Sequence, residues 1–170
     1  MNVVVSSGEY KADLKRKYVK IIICDENNYF WVINSGGKLR FPGYLVNGEN
    51  DILNQAVTCL YNFFCEYNEM YYYGLFSFYN MVLSKDKNGK RIHKNYLTEN
   101  DYFIVKVQSR NNLCIKKYDS MLLPKTYDEL VNSVSKSDDL AFREEMDTIL
   151  KMLPEEIKSR KCIRKILTRR

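Results

Sequence analysis

Two hydrophobic periods alternate along the chain and divide it into strand-like and helix-like stretches. Residues 18–24 are a β-branched run containing Val19, Ile21, Ile22 and Ile23, which reads as a strand. Asp25-Glu26-Asn27-Asn28 is a turn, and residues 29–33 return as a second strand, so a hairpin is expected. Asn34-Ser35-Gly36-Gly37 is another turn, followed by a short strand at 38–41 that ends at Pro42-Gly43. The period then becomes helical. Asn50 or Asp51 can cap a helix whose buried stripe is Leu53, Ala56, Val57, Leu60, Phe63 and Phe64, with Asn54, Thr58, Tyr61 and Asn62 opposite.

Residues 70–83 are aromatic and β-prone, one or two strands broken near Gly74. Residues 84–98 read as a basic polar loop with a turn at Asn88-Gly89, residues 102–107 as a strong strand and 113–116 as a short one. Helical spacing begins at 127–134 and is clear over 138–153, where Leu140, Phe142, Met146, Ile149, Leu150 and Leu153 supply the apolar face. Arg143 and Glu145 fall on what reads as its solvated face. Pro154 separates that helix from a basic amphipathic one over 155–167. Strands, helix, strands and closing helices predict an α+β fold, an α/β/α sandwich with a mixed central sheet flanked by helices. The organisation expected is one domain over residues 1–154 and a basic C-terminal helix or tail over 155–170.

Composition narrows the function classes. No apolar run approaches the roughly 20 residues of a membrane span, and residues 1–7 lack the basic flank and apolar core of a signal peptide, so an intracellular location, cytoplasmic or nuclear, is expected. The five cysteines form no CxxC pair and read as scattered buried thiols. The single histidine, His93, disfavours a His-based triad or a multi-His metal site. The net charge of +6 is concentrated at residues 11–20, 85–94 and 158–170. Such clusters attract polyanions.

The stretch from Gly36 to Glu49 carries the chemistry. Gly43 and Glu49 are separated by five residues, after an aromatic Phe41-Pro42 turn and before the helix. This resembles the front half of a Nudix box, the signature of enzymes that hydrolyse diphosphates linked to another group. The resemblance, with the order of elements around it, covers roughly residues 18–153. It implies that Mg²⁺ or Mn²⁺ would be held by glutamates on the helix, where the ions activate water and neutralise the diphosphate. Continuing the spacing without a gap puts Val57 at the arginine position, Thr58, Tyr61 and Asn62 at the three glutamate positions and Phe64 at the final glycine. A two-residue insertion would put Leu60, Phe63 and Phe64 at the glutamate positions instead. Hard cations need oxygen ligands, preferably charged, and neither register supplies a carboxylate cluster.

Three functions follow as expectations. The first is a non-catalytic Nudix-like domain that binds RNA or a nucleotide, or acts within a protein or ribonucleoprotein assembly. Its candidate contacts are Lys38, Arg40, Phe41 and Tyr44 around the former active-site mouth, and Lys87, Lys90 and Arg91 in the basic loop. No cofactor is expected. The second is an active diphosphate hydrolase, acting on a nucleoside diphosphate derivative or capped RNA, that requires Mg²⁺ or Mn²⁺ at a non-standard site built from Glu49 with Glu66 and Glu69. Glu49 also has a plainer role available at the helix N-terminus, where the dipole favours a carboxylate. The third is a protein-interaction scaffold that docks a partner through residues 155–170.

Overall fold

The computed structural model describes residues 2–4, 14–46, 51–109 and 122–158. The elements among them are β1 (Asn2–Val4), β2 (Leu14–Asp25), β3 (Phe30–Ser35), β4 (Lys38–Arg40), β5 (Gly43–Leu45), α1 (Ile52–Tyr61), β6 (Glu69–Lys85), β7 (Arg91–Val107), β8 (Leu122–Lys125), α2 (Tyr127–Ser135), α3 (Leu140–Met152) and α4 (Glu155–Lys158). The strands join in one mixed sheet of order β1-β6-β7-β2-β3-β4, with β5 added to β2 and β8 to β3. The sequence expectation of α/β/α layering holds.

Alternation along the central strands sorts side chains to the two faces. On β2, Val19, Ile21 and Ile23 meet Ala56, Cys59 and Leu60 of α1, together with Phe63, Phe64, Phe103 and Val105. Ile22 and Cys24 face the other way, into a core completed by Phe76, Ile104, Phe142, Met146, Ile149 and Leu150. The β2–β3 hairpin forms as expected, while β2 also runs parallel to β7 from Leu14↔Tyr96 to Asp25↔Val107.

The helix starts follow their caps. The Asp51 carboxylate accepts from the Leu53 amide at the head of α1, Thr126 and Glu129 form a reciprocal capping box on α2, and Asp139 caps α3. Two expected stripe residues stand outside the core, Leu53 at 47% exposure and Leu140 at 74%. At the head of α1 it is Ile52, in line with Ala56, Cys59 and Leu60, that packs on the core instead of Leu53.

The largest departure is at 84–98. Instead of a loop, β6 and β7 continue as one long hairpin, paired from Glu69↔Lys106 to Lys85↔Arg91, with its turn at Asn88-Gly89. Asp86 closes the turn by accepting from the Asn88 and Lys90 amides, and Gly89 adopts φ 78°. The break expected near Gly74 is a bulge: Tyr72 pairs with Phe103 and Gly74 with Tyr102, leaving Tyr73 as the extra residue.

Cys24 and Cys59 are buried free thiols, and burial pushes both up to about 12. Cys65 departs from the thiol expectation, since it is disulfide-bonded. The strand expected at 113–116 lies outside the described residues, and of the expected helix over 155–167 only Glu155–Lys158 is described. Among the described residues no helix is long and apolar enough to cross a membrane.

Candidate nucleotide-binding cleft

The turn that resembles a Nudix box is shaped by close backbone approach. Gly36 and Gly37, at φ 59° and 81°, fold β3 back into β4. The Pro42 carbonyl then accepts from the Ile21 amide at 2.9 Å, and β5 is laid against β2. A Cβ on Gly43 would stand 2.6 Å from Lys20 Cγ and 2.8 Å from the Val19 carbonyl oxygen. Glycine is needed here for packing, independently of any chemistry.

Beside this turn opens a cleft of ≈390 Å³, walled by β2, β4, β7 and α3. Arg16, Tyr18 and Lys20 enter it from β2, Arg40 and Phe41 from the β4 turn, and Tyr102 from β7. Lys20 Nζ lies 2.8 Å from Glu145 Oε1 of α3, and the same oxygen accepts from the Tyr102 hydroxyl at 3.0 Å. Burial, reinforced by the Glu145 carboxylate, raises the Tyr102 hydroxyl well above its ordinary range, so it stays protonated and donates. Cations sit over rings throughout: Arg40 lies 4.8 Å from the Phe142 centroid, Lys20 5.6 Å from Tyr18 and Arg16 5.0 Å from Tyr96.

Of the residues singled out in the sequence, Arg40 and Phe41 meet in this cleft. Lys38 instead lines the neighbouring groove of ≈660 Å³, paired with the Asp139 carboxylate that caps α3. Tyr44 packs half-buried against the core on the α1 side of the sheet. Lys87, Lys90 and Arg91 are exposed at the hairpin tip, about 23 Å along β7 from the cleft residue Thr98. Glu49 lies outside the described residues. Glu66 is exposed, and Glu69 is paired with Lys106 at 3.4 Å, alongside the Cys24 end of β2 and away from the Gly43 turn.

The outer face of α1 carries Asn54, Thr58 and Tyr61, followed by Asn62 at its C-cap, and the Thr58 hydroxyl is spent on the Asn54 carbonyl. Among the described residues no group of three or more His, Cys, Asp or Glu side chains gathers where a metal ion would be held. The described outer face of α1 offers neutral oxygens in place of the carboxylates that a divalent cation prefers.

Sequence reasoning missed Arg16, Tyr18, Lys20, Tyr102 and Glu145. The Arg143–Glu145 run was expected on a solvated face, but Glu145 turns inward because Lys20 and Tyr102 stand opposite it. A usable signal was present: Arg16, Tyr18 and Lys20 recur at period two on the strand whose Ile22 and Cys24 enter the core under α3.

The Lys38–Asp139 pair is testable by titration. The hydrogen bond from Lys38, with that from the Phe142 amide, lowers the Asp139 carboxyl below its ordinary 3.8. A depressed folded pKa contributes stability that is present above the unfolded value and lost as pH falls through the folded one. Lys38→Met should therefore cost within the ~0.2–1 kcal/mol of solvent-screened pairs near neutrality. Urea titrations should show the gap to wild type closing as pH drops below 3.8.

No protein-family model and no curated protein sequence matches this chain. Solved structures do. A MutT structure from work on the Aliivibrio salmonicida and Vibrio cholerae proteins aligns with 81% of this chain and 98% of its own, at 11% identity and TM-score 0.51. The mutator MutT protein of Bacillus halodurans aligns over 79% and 82%, at 14% identity and TM-score 0.49. The C. elegans Ap4A hydrolase aligns over 80% and 98%, at 6% identity and TM-score 0.46. At 11% identity the MutT likeness with TM-score 0.51 is one of fold, and the fold of this chain is Nudix-like.

Proposed function

We propose that this chain is a non-catalytic Nudix-like domain that binds a nucleotide, either free or at the end of an RNA strand. The observation that carries the reading is the cleft itself. Its ≈390 Å³ falls within the ~300–1,000 Å³ usual for small-molecule sites. Three cations and several aromatic walls offer a phosphate and a base what each requires. Among the described residues, opposite charge lining the cleft is limited to Glu145, already matched by Lys20. The neutral outer face of α1 supports a role without metal-assisted hydrolysis, because the carboxylates which that chemistry uses are replaced by amide and hydroxyl groups.

Calorimetric titration with nucleoside mono- and diphosphates, in EDTA and then in Mg²⁺ or Mn²⁺, tests this directly. Binding is expected in EDTA, with a comparable affinity when metal is added and no product formed on prolonged incubation. Arg40→Ala should weaken it about tenfold, the scale of a charge-assisted hydrogen bond. Metal-dependent turnover of a nucleoside diphosphate derivative would overturn the reading in favour of a hydrolase.

A further inference from the structure

We propose that the α3-side face of β2 and β7, running from the cleft toward the hairpin, is a track for single-stranded nucleic acid. The proposal deepens the nucleotide reading above and rests on it. Arg16, Tyr18 and Lys20 share this face of β2, and Lys94, Tyr96 and Thr98 share it on β7, by strand alternation. The parallel register sets Tyr96 beside Leu14, one step outward from the Arg16↔Thr98 pair. The Arg16 guanidinium accordingly lies over the Tyr96 ring at 5.0 Å, and farther in Lys20 lies 5.6 Å from the Tyr18 ring. Both rings are only partly buried.

Charge is distributed unequally between the two faces of the same strands. On the α1 side Lys15 pairs with Glu99 and Lys17 with Asp101. On the α3 side Arg16 and Lys94 meet no carboxylate among the described residues, and Lys20 meets only Glu145. Over the stretch that β2 and β7 share, the α1 face is neutralised and the α3 face keeps Arg16 beside an aromatic ring.

Rings interleaved with cations suit unpaired bases, which stack on the rings while their phosphates follow the positive charge. A duplex keeps its bases stacked on one another and would meet only the charge. From Tyr96 to Tyr102 the face extends about 20 Å, longer than the cleft alone and comparable with the smaller single-strand sites of about four nucleotides.

The test compares a mononucleotide, read by calorimetry, with fluorescein-labelled twelve-nucleotide oligo-U and oligo-dT, read by anisotropy on the full chain. Tyr96→Ala should weaken oligonucleotide binding roughly tenfold, and Tyr96→Phe should restore it. Lys94→Gln should lower the salt dependence of strand binding by about 0.7 in log–log slope. Lys15→Gln, the same charge change on the opposite face, should do neither, and mononucleotide affinity should stay unchanged in Lys94→Gln and Lys15→Gln. Thermal unfolding of each variant establishes that it is folded. Strand binding indifferent to Tyr96 and Lys94, with the mononucleotide still bound, would overturn the track and leave the cleft standing. Strand binding that depends on Tyr96 without mononucleotide binding would support the track and remove the cleft. If neither probe binds, or if poly-glutamate competes and Tyr96→Ala has no effect, the track is wrong. A preference between oligo-U and oligo-dT identifies the strand.

Discussion

Phe76→Ala should lower the free energy of unfolding by about 3–5 kcal/mol, as expected for deleting a buried ring whose surroundings relax only in part. Phe76 is fully buried, stacked on Tyr73 at 5.3 Å and set edge-on to Tyr102 at 5.5 Å. It supports the floor of the cleft as well as the core under α3. Against a total of ~5–15 kcal/mol for an ordinary domain, the loss is large. Urea denaturation should show a lowered midpoint with little change of slope. Leu53→Ala is the internal contrast. Its side chain is 47% exposed, so its effect should stay within about 0.5 kcal/mol. Equal losses at the two positions would contradict the packing described.

The second large effect concerns the Lys20–Glu145 pair. Lys20→Met leaves the Glu145 carboxylate facing the cleft without its cation, so the site both loses a phosphate ligand and gains a repulsion. Nucleotide affinity should fall by about 10–100-fold, on the scale of a charge-assisted hydrogen bond plus an unscreened like charge. Glu145→Gln changes the pair's charge by one in the opposite sense. The amide oxygen still accepts from Tyr102, so that bond is kept, and Lys20 becomes free for phosphate. Affinity should then rise about fivefold, the worth of one charge at ~4 Å in a water-like dielectric. Both variants remove the ion pair, so both should lose some stability. Calorimetry showing the same sign of change in binding for both would count against phosphate recognition by Lys20.

Much of the layering was legible in the sequence because burial leaves a period. The β-branched run in β2, the helical stripes of α1 and α3, and the glycine turn before β4 all carry their structure locally. β5 and β8 are only three and four residues long, and what makes them strands is pairing with β2 and β3, which no local pattern reports. The outer β6–β7 ribbon was hidden for a different reason. Its exposed positions, such as Leu83, Lys85, Arg91 and His93, are under no pressure to alternate, so only its Asn88-Gly89 turn was visible. The cleft was half legible. Arg40 and Phe41 travel with the Gly43 turn, whereas Glu145 acquires its role from β2, 125 residues distant in the chain.

Tyr73 is the one residue of the paired part of β6 that has no partner on β7. The bulge takes it up between the Tyr72 and Gly74 pairings, and Phe76 and Phe78, opposite Asn100 and Thr98, reach the core under α3. Deleting Tyr73 while keeping the hairpin pairing would close the bulge and leave Phe76 opposite Asn100 and Phe78 opposite Thr98, so both phenylalanines would stay on the α3 side. A single residue gained or lost should therefore be tolerated best at this bulge, whereas elsewhere in the paired strand it would shift the register and turn the following side chains to the other face. Matched pairs of residues added around Asn88-Gly89 would preserve parity, so the ribbon tip is where natural length variation should accumulate.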